Sequence, residues 1–286
     1  MSGTDAANDI EGILLRLEAM LRRDAPISAF KQLASSFQAS RAVEIRFENF
    51  AICLDSCVLI NLSKRKDLED IFDYFSTKHR APLIVSAQSL LEFWNNHISS
   101  VETIASALEK RFSELEKEVL KVDGDFGSYS DEFKGLLGRF KDDYGHVHDK
   151  AIRRSLVSLV QRLSEVASVH EIPRSRFYRF ASSRQSTKTP PGFKDSGDGD
   201  YFVWMDFLFG LAKAKQSGEK IEKAIMVTDD RKSDWSKGGV PHPVLAAEVD
   251  ACIEVPFETW SLEQLAQRVR SQIDDVEVAE APGSTA

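Results

Sequence analysis

Four acidic islands, far apart in the chain, each abut an apolar stretch, and together they imply a chemistry. Asp55 follows Ala51-Ile52-Cys53-Leu54 and precedes Ser56-Cys57-Val58-Leu59-Ile60. Glu92 stands between Leu90-Leu91 and Phe93-Trp94. Asp195, Asp198 and Asp200 alternate with Ser196, Gly197 and Gly199 ahead of the aromatic-rich stretch Tyr201 to Leu208. Asp229 and Asp230 end the run Ile225-Met226-Val227-Thr228. A carboxylate among apolar neighbours is costly to bury unless it is paired or binds a cation. The simplest arrangement satisfying all four islands is strand and helix ends converging on one metal site. Carboxylates crowded there repel one another and hold raised pKa values until cations neutralise them. Hard oxygen donors with few histidines favour Mg²⁺ or Mn²⁺ over Zn²⁺.

Converging acids need elements that end on one edge. Residues 51–55 read as a central strand, because parallel strands buried on both faces are continuously apolar. Pro82 to Val85 reads as a short strand, and Ser86 can cap a helix running through His97 that carries Glu92. Residues 200–215 read as a helix, 224–228 as a strand, 251–257 as a last strand and Leu262 to Ile273 as a final helix. Strands alternating with helices predict an α/β fold with a central parallel sheet. In such sheets, ligands gather beyond the carboxyl ends of the strands, where Asp55 and Asp230 would lie. Ahead of this core, residues 1–45 form a helical segment: Ile10, Ile13, Leu14, Leu17, Met20 and Leu21 share a stripe, Pro26 ends that helix, and Ile27 to Phe37 makes a second. Ala42 to Phe50 alternates and predicts an extended lead-in, and Leu68 to Phe75 a further helix.

The core reads as residues 46–98 and 190–273, split by a helical insertion over 99–189. Val101 to Val119 and Val147 to Val166 carry helical stripes, and Gly124, Gly127, Gly135, Gly138 and Gly145 break the pattern between them. That predicts an antiparallel hairpin with a broken middle, with His146 and His148 in surface or turn positions. Residues 274–286 read as a disordered acidic tail. The net charge of −8 argues against a generic nucleic-acid coat, so a polyanionic partner must meet a local basic patch. Such a patch is legible over Arg174 to Lys194. There Arg174, Arg176, Arg179, Arg184, Lys188 and Lys194 alternate with Phe177, Tyr178, Phe180 and Phe193, a pattern suited to phosphates and stacked bases. No run approaches the ~20 apolar residues of a membrane span. The polar opening MSGTDAANDIEG and three cysteines point to the cytoplasm. Cys53 and Cys57 lack a second pair to complete a zinc site and read as small hydrophobes.

The four motifs resemble those of PIN-like domain nucleases. LDSCVLINL (54–62) is similar to the first motif, an Asp followed by a small polar residue and an aliphatic run. SLLEFWNN (89–96), DGDYFVWMDFL (198–208) and VTDDRKSDW (227–235) resemble the second, third and fourth. Pro190-Pro191-Gly192-Phe193-Lys194-Asp195 resembles the segment preceding the third acid in the subgroup with a long helical insertion. The resemblance implies a three-layer PIN-like core and metal-ligand roles for Asp55, Glu92, Asp200 and Asp230. Asp195 and Asp234 are second-tier ligands, and Ser56 and Thr228 polar supports. Many PIN domains have Asn two residues after the first Asp, where this chain has Cys57. A haloacid-dehalogenase-like phosphatase would need a second Asp at that same position and so lacks its general acid. Within the third island Asp200 is favoured, because it opens a helix whose Trp204, one turn on, can pack beneath it; Asp195 and Asp198 lie in a glycine loop.

The resemblance implies an Mg²⁺- or Mn²⁺-dependent endonuclease, an endoribonuclease first and a DNA nuclease second, with toxin–antitoxin or phage-defence service by analogy. A non-cleaving RNA-binding or scaffold member is the alternative. Single-stranded or structured RNA is the expected partner and no membrane is. The sequence leaves open an inhibitory protein partner and self-pairing through the insertion.

Overall fold

A strand buried on both faces must be apolar throughout, and Phe50-Ala51-Ile52-Cys53-Leu54 meets that demand. It forms β1 (Phe50–Leu54) in the computed structural model. The structure describes residues 3–24, 27–36, 46–96, 129–194, 197–230 and 232–280, with isolated positions between 111 and 118. β2 (Leu83–Ser86) and β4 (Lys223–Val227) flank β1 in parallel. β3 (Ala167–His170) extends the sheet beyond β2 and β7 (Phe257–Trp260) beyond β4, giving the order β3-β2-β1-β4-β7, all parallel. A two-residue antiparallel pair, β5 (Ser236–Lys237) and β6 (Val240–Pro241), stands apart.

The chain fills one side of β1 with β2 and β3 and then crosses to β4. The topological switch therefore falls between β1 and β4, where parallel sheets open a crevice. Leu54 pairs with both Val227 and Val85, so Asp55, Thr228 and Ser86 leave the sheet side by side.

Helices α1 (Gly3–Arg22), α2 (Ala29–Ser36), α3 (Ser56–Leu62), α4 (Leu68–Thr77) and α5 (residues 87–96) come first. α6 (Tyr129–Val166), α7 (Arg174–Thr187), α8 (Gly199–Gln216), α9 (Pro243–Ile253) and α10 (Leu262–Glu280) follow. The chain divides into two compact units, one of Met1–Glu92 with Arg162–Ala286, the other Phe93–Gln161. In the first, every residue of α8 from Tyr201 to Ala212 is buried, the signature of a helix packed on all sides. Ile13, Leu14, Leu17 and Met20 of α1 share its core with Ala51 and Cys53 of β1 and Ala224 and Met226 of β4. On the other face of the sheet, α3 and α4 meet α10. The fold is α/β, a parallel five-stranded sheet flanked by helices, as the sequence predicts.

Several elements differ from the sequence reading. The last strand is Phe257–Trp260, not 251–257: residues through Ile253 continue α9, where Leu245, Val249 and Ile253 are buried at helical spacing. Residues 167–170, within the stretch read as helical, form β3 and satisfy the outer edge of β2. Gly135, Gly138 and Gly145 do not interrupt α6. Glycine costs a helix only about 1 kcal/mol relative to alanine, which a helix of 38 residues absorbs. His146 and His148 thus lie within that helix. The first arm of the expected hairpin falls mostly outside the described residues, as do residues 42–45; Phe47–Asn49 is a 3₁₀ turn. α10 runs to Glu280, so the first part of the expected tail is helical, and 281–286 lie outside the described residues. Among the described residues no helix is long and apolar enough to cross a membrane.

The core carries a pH-dependent element. His79 Nε2 lies 2.9 Å from the Phe50 carbonyl, which can only accept, so Nε2 carries the proton and the buried Nδ1 has no partner. Burial pushes His79 down to about 4, and His170 likewise to about 4. Both bases hold folded values below the ordinary 6.5, so the unfolded chain takes the proton first. Their contribution is intact above pH 6.5 and is lost as pH falls toward 4. The melting temperature is expected to drop across that window, and less steeply in His79→Phe. Parallel curves for the two proteins refute the assignment.

Candidate active site

Asp55 leaves β1 and caps α3, which fixes its carboxylate at the sheet edge. Ser56 N–H donates to Asp55 Oδ1 at 2.6 Å, and Thr228 Oγ1 donates to Oδ2 at 2.8 Å. The Cys57 thiol donates weakly to the same Oδ2 at 3.4 Å. Thr228 Oγ1 in turn accepts the Asp230 N–H at 3.0 Å, so one hydroxyl couples the ends of β1 and β4. Ser56 Oγ donates to Glu92 Oε2 at 3.0 Å, and Gln88 Nε2 holds Oε1 at 2.9 Å from one turn back on α5. Burial, and then the Asp55 charge, push the Cys57 thiol up to about 12, so it stays protonated. It serves as a weak donor, not a nucleophile.

Across the cavity, Asp200 in the first turn of α8 lies 3.4 Å from Trp235 Nε1. Lys232 Nζ reaches Asp230 Oδ2 at 2.8 Å and Asp200 Oδ2 at 3.5 Å. Asp55, Glu92, Asp200 and Asp230 line one open cavity of about 440 Å³ beyond the carboxyl ends of β1 and β4. Asp229 also borders it, but its oxygens accept Asn61 Nδ2 at 2.9 Å and Leu262 N–H at 3.1 Å, capping α10.

Two buried carboxylates that sequence reading missed stand behind this edge. Asp206, fully buried, accepts Ser86 Oγ at 2.6 Å, Ile172 N–H at 2.9 Å and both terminal nitrogens of Arg174 at 3.1 and 2.9 Å. Glu248 accepts Arg184 Nη1 at 2.9 Å, Arg23 Nη2 at 2.8 Å and Trp204 Nε1 at 2.8 Å. Their signal was a lone acid inside an apolar helix, Met205-Asp206-Phe207 and Ala247-Glu248-Val249.

The structure reassigns several sequence-predicted residues. Asp234 is buried and accepts the Gly192 N–H at 3.0 Å, inside the protein rather than on the cavity wall. Asp198 precedes α8 without lining the cavity, and Asp195 lies outside the described residues. Trp204 is buried against Trp235 and Phe257 and bonds Glu248; the indole beside Asp200 is that of Trp235. The basic segment is largely spent internally. Arg174 pairs with Asp206, Arg184 with Glu248, and Arg176 with Glu11 and Glu18 of α1, while Phe177 is buried. These arginines are not free for phosphates, because α7 turns them toward acids of the core and of α1. Arg179 and Lys188 remain exposed, as does Lys194, whose Nζ donates to Ser233 Oγ at 2.6 Å.

Residues 121–240 match the family model described as PIN like domain. Over that span the chain is similar to a PIN-like domain. Comparison with curated proteins and with solved structures gave no match. The matched span contains Asp200 and Asp230, and β1 and α5 bring Asp55 and Glu92 to the same cavity. PIN-like domains are commonly nucleases and typically use divalent metals. The donor chemistry here fits a hard cation: besides Asp229, four carboxylates and, among the described residues, no histidine line the cavity. Among the described residues, though, no three His, Cys, Asp or Glu side chains are grouped so as to hold a metal ion. The position between Asp200 and Asp230 already attracts a positive charge, the ammonium of Lys232.

Gly199 sets the spacing between two elements of this site. A Cβ there would collide with Glu92 Oε1, the far end of a flexible side chain. In Gly199→Ala the backbone is expected to stay and Glu92 to swing away from Gln88 and Ser56. Stability should hold or rise by about 0.4–1 kcal/mol, through the stiffer unfolded chain. Mn²⁺ binding should fall to the level of Glu92→Gln. A large drop in melting temperature would instead mark this close approach as a packing requirement.

Proposed function

We propose that this chain is a metal-dependent endonuclease that hydrolyses phosphodiester bonds, with RNA as its substrate, in the cytoplasm. The observation that carries the reading is the meeting of Asp55, Glu92, Asp200 and Asp230 around one open cavity at the switch point of the sheet. Mg²⁺ or Mn²⁺ held there would activate a water and offset charge developing on the phosphate and leaving oxygen. The four carboxylates would supply the oxygens that hold the cation. Ser56 and Thr228 fix Glu92 and Asp55 in place, so the donors are oriented before substrate arrives. Exposed Arg179, Lys188 and Lys194 are the residues of the basic segment still open to phosphates.

A second reading, an RNA-binding PIN-like protein that cleaves nothing, is favoured by the ammonium of Lys232 between two of the acids. Incubating the chain with labelled single-stranded RNA and DNA, with Mn²⁺ or with EDTA, separates the two. Cleavage of RNA that EDTA abolishes is expected. Asp55→Asn, Glu92→Gln and Asp230→Asn should each lose about 10²-fold or more in rate while keeping the far-ultraviolet spectrum of the parent. Full activity in Asp55→Asn would sink the nuclease reading, and binding without cleavage at any Mn²⁺ concentration would favour the second. Toxin or phage-defence service adds a further expectation: expression of the parent, but not of Asp55→Asn, arrests growth.

A further inference from the structure

Among the described residues of the cavity wall, Lys232 is the one whose charge opposes that of the acids. Its Nζ sits 2.8 Å from Asp230 Oδ2 and 3.5 Å from Asp200 Oδ2, so a single ammonium neutralises two carboxylates from different elements. Its main chain is tied to the same acid, the Lys232 N–H donating to Asp230 Oδ1 at 2.9 Å. That bond starts the side chain beside the site. The contrast with Arg174 and Arg184 lies in their partners. Arg174 and Arg184 present planar forks to carboxylates with no exposure, and withdrawing either strands a buried charge. Lys232 carries a compact charge on a flexible four-carbon stem, and its side chain is 35% exposed. A partly solvated ammonium can exchange these two acids for water at far smaller cost than a buried charge.

We propose that Lys232 is a built-in counter-ion, holding Asp230 and Asp200 in a cation-free closed state from which a divalent ion must displace it. The inference rests on the metal-dependent reading above and adds an internal competitor to it. The closed state keeps the acids neutralised when no ion is bound and sets the ion concentration at which the site loads. An ion competing with a tethered charge binds more weakly by the fraction of time the site is open.

Calorimetric Mn²⁺ titration of the full chain tests this, with Lys232→Met and Lys232→Arg beside the parent. Lys232→Met should bind Mn²⁺ roughly fivefold or more tightly, as for a site that the ammonium closes about four-fifths of the time. Lys232→Arg keeps the charge and should stay near the parent. Without metal, Lys232→Met should melt below the parent, and saturating Mn²⁺ should close the gap, because the ion replaces the lost charge. Labelling the parent with acetic anhydride gives a readout that needs no variant: Mn²⁺ should raise modification of Lys232 relative to the exposed Lys64. Equal or weaker Mn²⁺ affinity in Lys232→Met, or labelling of Lys232 indifferent to Mn²⁺, overturns the proposal alone if the parent binds Mn²⁺ and cleaves. Absence of Mn²⁺ binding in every protein overturns both the proposal and the nuclease reading.

Discussion

The buried carboxylate of Asp206 is the interaction on which the geometry of the site depends. It has no exposed surface, so its charge is tolerable only with donors on every side. Those donors come from Ser86 at the end of β2, from Ile172 just after β3, and from Arg174 at the start of α7. Burial still leaves the Asp206 carboxyl above its ordinary value, and these donors pull against that shift. One side chain on α8 therefore clamps the carboxyl ends of two strands to the helix that carries Asp200. Ser86 Oγ also accepts the Gln88 N–H at 3.0 Å, so the same clamp seats the first turn of the helix carrying Glu92. A shift of α8 would move the two acids together.

The cations divide by depth. The buried carboxylates take arginines, whose forks can satisfy a carboxylate with two parallel bonds and whose hydration is weak. The rim takes lysines, with Lys232 on the cavity and Lys194 and Lys188 beyond it. In a chain with a net charge of −8, that division leaves, among the described residues, only a few positive groups near the acidic edge to meet a polyanion.

The sequence was most legible where burial admits only one kind of residue. β1, β2 and β4 read as unbroken apolar runs, and their observed ends fall within a residue or two of the reading. The acids at their tips were legible for the same reason, as charges with no polar company. β3 was not legible: at an edge it is only half buried, and Ala167-Ser168-Val169-His170 carries no continuous apolar signal. The arginines of α7 looked like a binding face because their partners, Glu11, Glu18 and Glu248, lie far away in sequence. No local pattern distinguishes an arginine facing water from one facing an acid on another helix. Lys232 had no signal at all, since a lysine in a polar turn is the commonest of surface residues.

Glu248 has a consequence for where this protein begins as a folded object. Its carboxylate gathers Arg184 of α7, Trp204 of α8 and Arg23, the residue just beyond α1. Arg23 sits at φ 63, a left-handed backbone held by its bonds to Met20 and Glu248. Excising the sheet at Phe47 would withdraw one cation from a carboxylate without access to water. It would also strip Ile13, Leu14 and Leu17 from the core they share with α8. The N-terminal helix is not an appendage to the sheet but one wall of its interior, and a minimal version of this protein has to start with it.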